Sequence, residues 1–241
     1  MTLRAYIGFD DTDNHDSDFG TGKIARRFEN IMPEGCHMWG VVRQQLLIDE
    51  RIPYTSHNSS ACVVVDLSDP LLKNVLVSMA SEYIEQEAAP GSDPGLCIAC
   101  EGDSALTALM SFGPLCTRQI VTQKEALQAA SGIHISGHGG SNDGIIGAAA
   151  AVGLTVSGWS GRFIEFAGLR RFPDTVAVSE LEKYGILAVS LDRDAMVPAP
   201  ADMIHTKGWL RPRLWGQRPI LPVLCRGKNI WESVGEKRKK S

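Results

Sequence analysis

The chain has 241 residues, of which 44% are hydrophobic and 22% are charged, and its formal net charge at pH 7 is −4. These values are typical of a soluble globular protein with one large or two small domains, and the net charge gives no global attraction to nucleic acid. No apolar stretch is long enough to span a bilayer, and residues 1–10 predict a strand and not a signal peptide, so we expect a cytoplasmic protein without a membrane partner.

Apolar periods of two and of 3.6 residues alternate along the chain, which predicts the fold class α+β (mixed α/β). We expect strands over 3–9, 37–48, 60–67, 96–99, 133–135, 162–167 and 187–191. We expect helices over 22–31, 69–88, 104–112 and 124–130, and an alanine-rich helix after residue 142. The segment 198–222, rich in Pro, Arg and Trp, fits neither period, and the basic tail 237–240 is predicted to be a solvated end.

Three carboxylates follow the first predicted strand, at Asp10, Asp11 and Asp13. Clustered carboxylates repel one another, and a fold that gathers them usually balances them with a cation. Hard oxygen ligands suit Mg²⁺, which takes one or two carboxylates and fills its other positions with water and substrate phosphates. The alternative is a solvated turn, because Asp, Thr and Asn are also good turn and helix-cap residues.

A glycine-rich segment comes next, just before the first predicted helix. It consists of Gly20, Thr21, Gly22 and Lys23. Flexible glycines, a hydroxyl and a lysine at a helix N-terminus are suited to phosphate, although the spacing is not that of a P-loop. Carboxylates and a phosphate seat within a dozen residues predict ATP with Mg²⁺, and Thr21 is the candidate phosphoryl acceptor or phosphate ligand.

A second glycine-rich loop separates the predicted strand 133–135 from the alanine-rich helix. Its candidate phosphate-binding residues are Gly137, His138, Gly139, Gly140, Asn142 and Asp143. Backbone N–H groups in such a loop approach anions closely, and the following helix adds its dipole. The alternative is a tight strand-to-helix turn with no ligand.

Polar residues between the two glycine loops complete the predicted pocket. Arg43 lies on a predicted strand and is suited to bidentate phosphate contacts, while His57 and Asn58 end a polar loop over 53–60. A polar loop with one histidine is usually only a loop, which is the alternative here. Cys97 and Cys100 form a single CxxC, which cannot supply a four-ligand zinc site, and we interpret them as buried, reduced thiols.

The C-terminal third is locally basic. Its basic residues are Lys207, Arg211, Arg213, Arg218, Arg226 and Lys228. They are suited to phosphates, and Trp209 and Trp215 are suited to stacking on bases. The alternative is an ordinary core with a solvated charged face, which the acidic net charge of the chain favours.

These segments together resemble one family, the archaeal isoleucine-tRNA 2-agmatinylcytidine synthetases (TiaS). Residues 8–13 resemble its Gly-apolar-Asp-Asp-Thr-Asp signature, and Thr21 resembles its functional threonine. The loop 52–59, the glycine loop 137–148 and the segment 214–218 resemble later motifs in the same order. Gly20 stands where the family has cysteine, and Ser56-His57 where it has basic residues.

The resemblance implies a kinase-like ATP-binding domain with a ferredoxin-like subdomain, without the family's OB fold and zinc ribbon. It places the ATP-binding region over 1–170, with a ferredoxin-like insertion over 60–130, and a C-terminal α+β portion over 171–241. It implies an ATP- and Mg²⁺-dependent transferase or ligase related to tRNA modification. Its acceptor would be a small-molecule amine or an RNA, and RNA binding could be supplied by a partner protein. The expected assembly is a homo-oligomer or a complex with that partner. The rival class is a non-catalytic nucleotide-binding or interaction module.

Overall fold

A computed structural model describes residues 2–55, 57–193 and 196–235, so the basic tail at 237–240 lies outside the described residues. The chain divides into two compact units, Met1–Ser157 and Gly158–Ser241. Both units mix strands and helices, which agrees with the mixed α/β class predicted from the sequence.

The first unit is one antiparallel sheet with helices on both faces. Its strands are β1 (Leu3–Asp10), β2 (Cys36–Gln45), β3 (Ser59–Leu67), β4 (Gly95–Cys100) and β5 (His134–Gly137). Its helices are α1 (Thr21–Arg27), α2 (Leu72–Glu87), α3 (Leu106–Leu115), α4 (Gln123–Ala129) and α5 (Gly144–Ser157). The strand order is β5-β4-β1-β3-β2, and every pair in this unit is antiparallel.

The elements β1-α1-β2-β3-α2-β4 follow the βαββαβ connectivity of a ferredoxin-like unit, with the spatial order β4-β1-β3-β2. This unit therefore runs over residues 3–100, whereas the sequence-based expectation placed it at 60–130. The difference has a simple cause, since β1 is a central strand that pairs with both β3 and β4. A unit that began at residue 60 would omit the strand that carries the acidic motif.

Strand β1 is central because its residues are apolar on both faces. Phe9 is fully buried and contacts the rings of Phe28 and Tyr83, with centroids 5.6 and 6.5 Å away, on the face covered by α1 and α2. Tyr6 and Gly8 point to the opposite face, toward α5. The end of β1 is thus fixed between two layers of helices, and side chains that follow it are held by a rigid strand.

Helix α5 packs closely on the sheet because its contact face consists of small residues. Ala148, Ala149, Ala150 and Ala151 are fully buried, as the alanine-rich sequence predicts. A Cβ on Gly8 would lie 2.1 Å from the Ala148 carbonyl oxygen, so only glycine allows this approach of strand to helix. The close packing brings the N-terminal turn of α5 next to the end of β1.

In its described residues, the second unit forms a mixed sheet, a short α-helix, α6 (Val178–Lys183), and a 3-10 helix, Leu169–Arg171. Its strands are β6 (Arg162–Glu165), β7 (Thr175–Ala177), β8 (Leu187–Ser190), β9 (Met203–His205), β10 (Arg213–Trp215), β11 (Arg218–Gly227) and β12 (Ile230–Ser233). The strands β6, β10, β11 and β12 pair antiparallel in that order, and β8 pairs with β11 in parallel. Three strands occupy the segment 198–222 and its continuation, where the sequence fitted neither period.

Two sequence-based interpretations are tested by burial. Cys97 and Cys100 are buried free thiols, as expected. Cys225 stands in mixed sequence surroundings that predict a small core residue, but it is only half-buried, because it lies toward the exposed end of β11. Among the described residues, no helix has the length and apolar character needed to cross a membrane.

Candidate functional site

The candidate site is built at the C-terminal end of β1, where the strand meets the first turn of α5. Asp10 is the last residue of β1, and its side chain faces Gly147 of α5. Asp11 follows with a φ of 50°, in the left-handed region that few residues other than glycine and asparagine or aspartate adopt. This sharp change of direction ends the strand.

The Asp10 carboxylate needs glycine at residue 147. A Cβ built on Gly147 would lie 1.7 Å from Oδ2 and 2.3 Å from Cγ of Asp10. The first turn of α5 therefore provides a wall against which one carboxylate rests.

We expect Gly147→Ala to lower the free energy of unfolding by about 1–3 kcal/mol, because the new methyl group overlaps the carboxylate. In an Asp10→Ala background the same change should be neutral or stabilising by up to about 1 kcal/mol, since alanine is the better helix former. Urea unfolding of the four proteins in this double-mutant cycle measures the difference. Additive effects of the two substitutions on the free energy of unfolding would contradict a contact between Asp10 and residue 147.

Burial and repulsion from neighbouring carboxylates raise the pKa of Asp10 and of Asp11. The pKa of Asp10 is held well above its usual range, first by burial and then by the neighbouring Asp11 charge. Burial, followed by the charges of Asp93, Asp13 and Asp143, raises the pKa of Asp11 to about 6. The site is thus an excess of negative charge that a cation would relieve.

We expect Asp11→Asn to stabilise the protein at pH 7. A carboxyl whose pKa is raised on folding destabilises the folded state once it ionises, so the cost is absent below about pH 4 and complete above about pH 6. After allowing for solvent screening, the gain should be about 1–2 kcal/mol at pH 7 and should vanish near pH 4. Thermal unfolding of the wild type and Asp11→Asn at pH 7 and pH 4 measures this gain. An equal gain in stability at both pH values would contradict the ionisation of Asp11 as its cause.

Hydroxyl groups hold the third carboxylate. The Thr21 hydroxyl lies 3.4 Å from Asp13 Oδ1, and the Thr55 hydroxyl donates to Asp13 Oδ2 at 2.8 Å. The Thr21 oxygen in turn accepts from the Thr12 hydroxyl at 3.0 Å and from the Thr12 backbone N–H at 3.3 Å. Thr21 is 5% exposed and Thr12 is 1% exposed. The two buried threonines therefore fix one hydroxyl oxygen directly beside a carboxylate.

A cavity of about 330 Å³ opens over this cluster, entirely within the first unit. Seven of the sequence-predicted site residues line it: Asp10, Asp11, Asp13, Thr21, His57, Asn58 and Asp143. Apolar side chains share the lining with the carboxylates, namely Leu46, Ile52, Pro53, Tyr54, Ile120 and Val121. The cavity therefore combines an acidic set of groups with apolar surface.

Nine other predicted site residues do not line the cavity: Gly20, Gly22, Lys23, Arg43, Gly137, His138, Gly139, Gly140 and Asn142. Gly20 lies at the start of α1, where a Cβ would be 3.3 Å from Asp13. The Lys23 ammonium lies over the ring of Phe19, 4.4 Å from its centroid. Phosphate binding by these two residues stays a prediction.

The second glycine loop uses its backbone donors within the protein. Gly137 pairs with Gly95 in the sheet, and the His138 N–H donates to the Pro94 carbonyl at 2.8 Å. The N–H groups of residues 141, 142 and 143 donate to the Asp93 carboxylate at 3.1, 2.6 and 3.0 Å. The anion at the turn before α5 is therefore a carboxylate of the same chain, and phosphate binding by this loop stays a prediction.

Three predicted residues have structural partners. Arg43 donates to the Ser59 hydroxyl at 3.0 Å, and the Asn58 amide donates to the Leu47 carbonyl at 2.7 Å. His138 Nδ1 is 2.9 Å from a Glu85 oxygen, and the His138 side chain is 7% exposed. These hydrogen bonds within the protein explain the three polar side chains without a bound ligand.

Sequence reasoning missed several residues that shape the site. Asp93 lies in the Pro- and Gly-rich segment 89–95, whose sequence predicts only a break between elements. In the structure it contributes negative charge to Asp11 and holds the turn before α5. Cys116 lines the cavity, and burial raises the pKa of its thiol to about 12, so it remains protonated. An aspartate before Pro-Gly was the only available signal for Asp93, and Cys116 carried none.

The donor set suits a divalent ion that is bound together with a phosphate ligand. Among residues 2–55, 57–193 and 196–235, no three Asp, Glu, His or Cys side chains are arranged to enclose a metal by themselves. Asp10 and Asp11 nevertheless lie together with raised pKa values, which fits a site that provides one or two carboxylates. Phosphate oxygens and water would complete such a site.

Solved structures with a similar fold are known. The chain is 27% identical to a tRNA fluorescent labeling enzyme, with a TM-score of 0.52, over 62% of this chain and 36% of that chain. It is 26% identical to TiaS in a complex with tRNA and ATP, with a TM-score of 0.53, over 63% and 36%. A complex of TiaS with tRNA, AMPCPP and agmatine gives 26% identity and a TM-score of 0.52, over 63% and 36%.

No protein-family model and no curated protein matches the chain. The chain spans about a third of the length of the solved proteins it resembles. These comparisons support a TiaS-like fold for the matched part of the chain.

Proposed function

We propose that the chain is an ATP-using enzyme of the tRNA-modifying type, with its nucleotide site in the cavity at the end of β1. The single observation that carries the proposal is that Asp10, Asp11 and Asp13 line one cavity with Thr21, whose buried hydroxyl lies beside Asp13. This cavity lies in a fold similar to that of proteins whose structures contain ATP or AMPCPP. The proposal includes a kinase-like ATP-binding region.

The chemistry of the lining matches the two ends of a nucleotide. Leu46, Tyr54 and Ile120 offer apolar surface to a base, whereas the carboxylates offer hard oxygen ligands. Asp10 and Asp11 would hold Mg²⁺, which neutralises phosphate charge when it is bound. A cavity of about 330 Å³ lies within the range of small-molecule sites.

Thr21 and Asp13 have the arrangement of a nucleophile and its base. Asp13 lies next to the Thr21 hydroxyl and is oriented by the Thr55 hydroxyl on its other oxygen. In phosphoryl transfer from ATP, the bond from Thr21 Oγ1 to the γ-phosphorus would form as the bond from that phosphorus to the β,γ-bridging oxygen breaks. ADP would leave with the bridging oxygen, and the Thr21 proton would pass to the Asp13 carboxylate. The alternative role for Thr21 is that of a phosphate ligand, in which the hydroxyl keeps its proton.

The acceptor substrate is proposed to be an RNA or a small amine. This rests on the named ligands of one similar structure, which contains tRNA and agmatine. The rival function is a nucleotide-binding module without turnover. The rival predicts tight ATP binding and no ADP release in any mixture of substrates.

ATP turnover distinguishes the two functions. Purified protein is incubated with ATP, Mg²⁺, bulk tRNA and agmatine, and ADP and AMP are quantified. We expect steady turnover that is lost in both Asp10→Ala and Thr21→Ala. ATP binding with no turnover in every mixture would contradict the enzyme and support the module.

A further inference from the structure

We propose that the second unit binds single-stranded RNA on an arginine–tryptophan surface formed by Arg162, Arg170, Arg211, Arg213, Trp209 and Trp215. The inference deepens the proposed function, on which it rests for the class of partner. Its evidence comes from the second unit alone.

Two of the arginines face each other across a strand pair. Arg213 of β10 and Arg162 of β6 are direct antiparallel partners. Like charges at such positions destabilise a sheet. In the described part of the chain, none of the four arginines forms an ion pair with a carboxylate. An uncompensated cluster of this kind costs stability and is typical of a surface that receives an anion.

The charges are close enough to act on each other. Burial and the charges of Arg162 and Arg170 lower the pKa of the Arg211 guanidinium. Burial and the Arg162 charge likewise lower the pKa of Arg213. The cluster therefore favours any ligand that brings several negative charges at once, as consecutive phosphates do.

Tryptophan rings hold the guanidinium groups in place. Arg170 and Arg211 lie over Trp209, 4.8 and 4.2 Å from its ring centroid, and Arg213 lies 5.1 Å from that of Trp215. Such stacking fixes planar donors in advance, which lowers the entropy cost of binding phosphate.

The surface also lacks hydrogen-bond acceptors. Among the described residues, Trp209 Nε1 and Arg211 Nε are buried N–H groups without a partner. Unpaired buried donors are rare and costly in folded proteins. Because these two N–H groups are buried, phosphate contacts would come from the other guanidinium nitrogens of the four arginines, whose excess positive charge is complementary to phosphate oxygens.

Exposed aromatic surface favours RNA over an acidic protein. Trp159 is 72% exposed, and its ring lies 3.7 Å from the position of a Cβ on Gly216, the residue that follows Trp215. Trp159 therefore offers exposed ring surface next to the half-buried Trp215, and bases stack on such rings whatever their sequence.

The other basic residues of this segment differ. Lys207 and Arg226 pair with Glu232 at 3.1 and 2.8 Å, which agrees with the solvated charged face considered from the sequence. The proposed surface thus follows from the structural environment and not from the number of basic residues.

Fluorescence anisotropy with a labelled single-stranded RNA of about 12 nucleotides tests the proposal, without ATP and at several salt concentrations. The test variant carries Arg162→Gln, Arg211→Gln and Arg213→Gln. The control removes equal charge from exposed lysines, as Lys124→Gln, Lys183→Gln and Lys228→Gln. We expect the arginine variant to bind about 100-fold more weakly at 0.1 M salt, with a salt slope smaller by about 2, and the control to resemble the wild type.

The stacking contribution is tested with Trp215→Ala and an abasic RNA of the same length. We expect this substitution to weaken RNA binding about 10-fold and to leave abasic RNA binding unchanged. Equal affinity and slope for the arginine and lysine variants, or no binding at low salt, would overturn the proposal. So would abasic RNA that binds as tightly as RNA, since this indicates a general polyanion surface.

Failure of this inference is distinguishable from failure of the proposed function. ATP binding is measured by calorimetry on the same preparations, and the arginine variant should retain it. Absence of RNA binding by the wild type, or equal RNA affinity of the arginine and lysine variants, with ATP turnover intact would overturn only the inference. RNA binding without any ATP binding overturns only the proposed function.

Discussion

Asp11→Asn should weaken the binding of ATP in the presence of Mg²⁺ by roughly 100-fold or more, because even outer-shell partners of a metal contribute about 10–100-fold to affinity. The substitution is conservative in backbone terms, since asparagine also adopts the left-handed conformation that residue 11 requires. Calorimetric titration of the wild type and the variant with ATP and Mg²⁺ measures the change.

The same carboxyl predicts how ATP affinity depends on pH. With the pKa of Asp11 raised to about 6, protons compete with the cation below that value, so affinity should fall as pH drops from 7 to 5. Asp16→Asn and Asp18→Asn are matched controls, because both remove a carboxylate from the same loop outside the cavity. If Asp11→Asn, Asp16→Asn and Asp18→Asn lose ATP affinity equally, the negative charge of the loop and not the cavity is responsible.

Thr21→Ala should lower ATP turnover by about 10²–10⁴-fold while ATP binding changes little, because it removes the hydroxyl beside Asp13 without altering the carboxylates. Thr21→Ser retains the hydroxyl and should keep much of the activity. Single-turnover assays with radiolabelled ATP measure the rate, and acid-stable label on the protein reports phosphoryl transfer to residue 21.

Thr12→Val is the matched control for this position. It removes a hydroxyl that donates to Thr21 but does not itself contact Asp13, so its effect should be smaller than that of Thr21→Ala. Thr21→Ala with wild-type turnover would exclude both proposed roles of this hydroxyl. If Thr21→Ala loses turnover but the wild-type protein acquires no label, only the role of Thr21 as a phosphate ligand remains.

The local features of the site follow from short stretches of sequence. An apolar run followed by Asp-Asp-Thr-Asp predicts a buried strand that ends in a carboxylate cluster, and β1 with Asp10 and Asp11 confirms the strand and its position. The alanine-rich run predicts the close packing of α5, which its buried alanines confirm. Such features depend on neighbouring residues, whose spacing the chain itself fixes.

Other features depend on contacts between distant residues, which spacing does not reveal. Asp93 meets the turn before α5 across 48 to 50 residues, and Thr55 meets Asp13 across 42. The facing of Arg162 and Arg213 depends on strand register in the second unit, in a segment whose short strands lack a clear period. The ferredoxin-like unit was misplaced for the same reason, since its order depends on which distant strands pair with β1.

Calorimetric titration of the wild-type chain with ATP, in Mg²⁺ and again in EDTA, tests the central claim most directly. We predict a single nucleotide site in Mg²⁺ whose affinity falls sharply in EDTA, as expected if the aspartates at the end of β1 act through the metal. Absence of binding at millimolar ATP, or equal affinity in Mg²⁺ and EDTA, would contradict the assignment of this cavity to a metal–nucleotide complex.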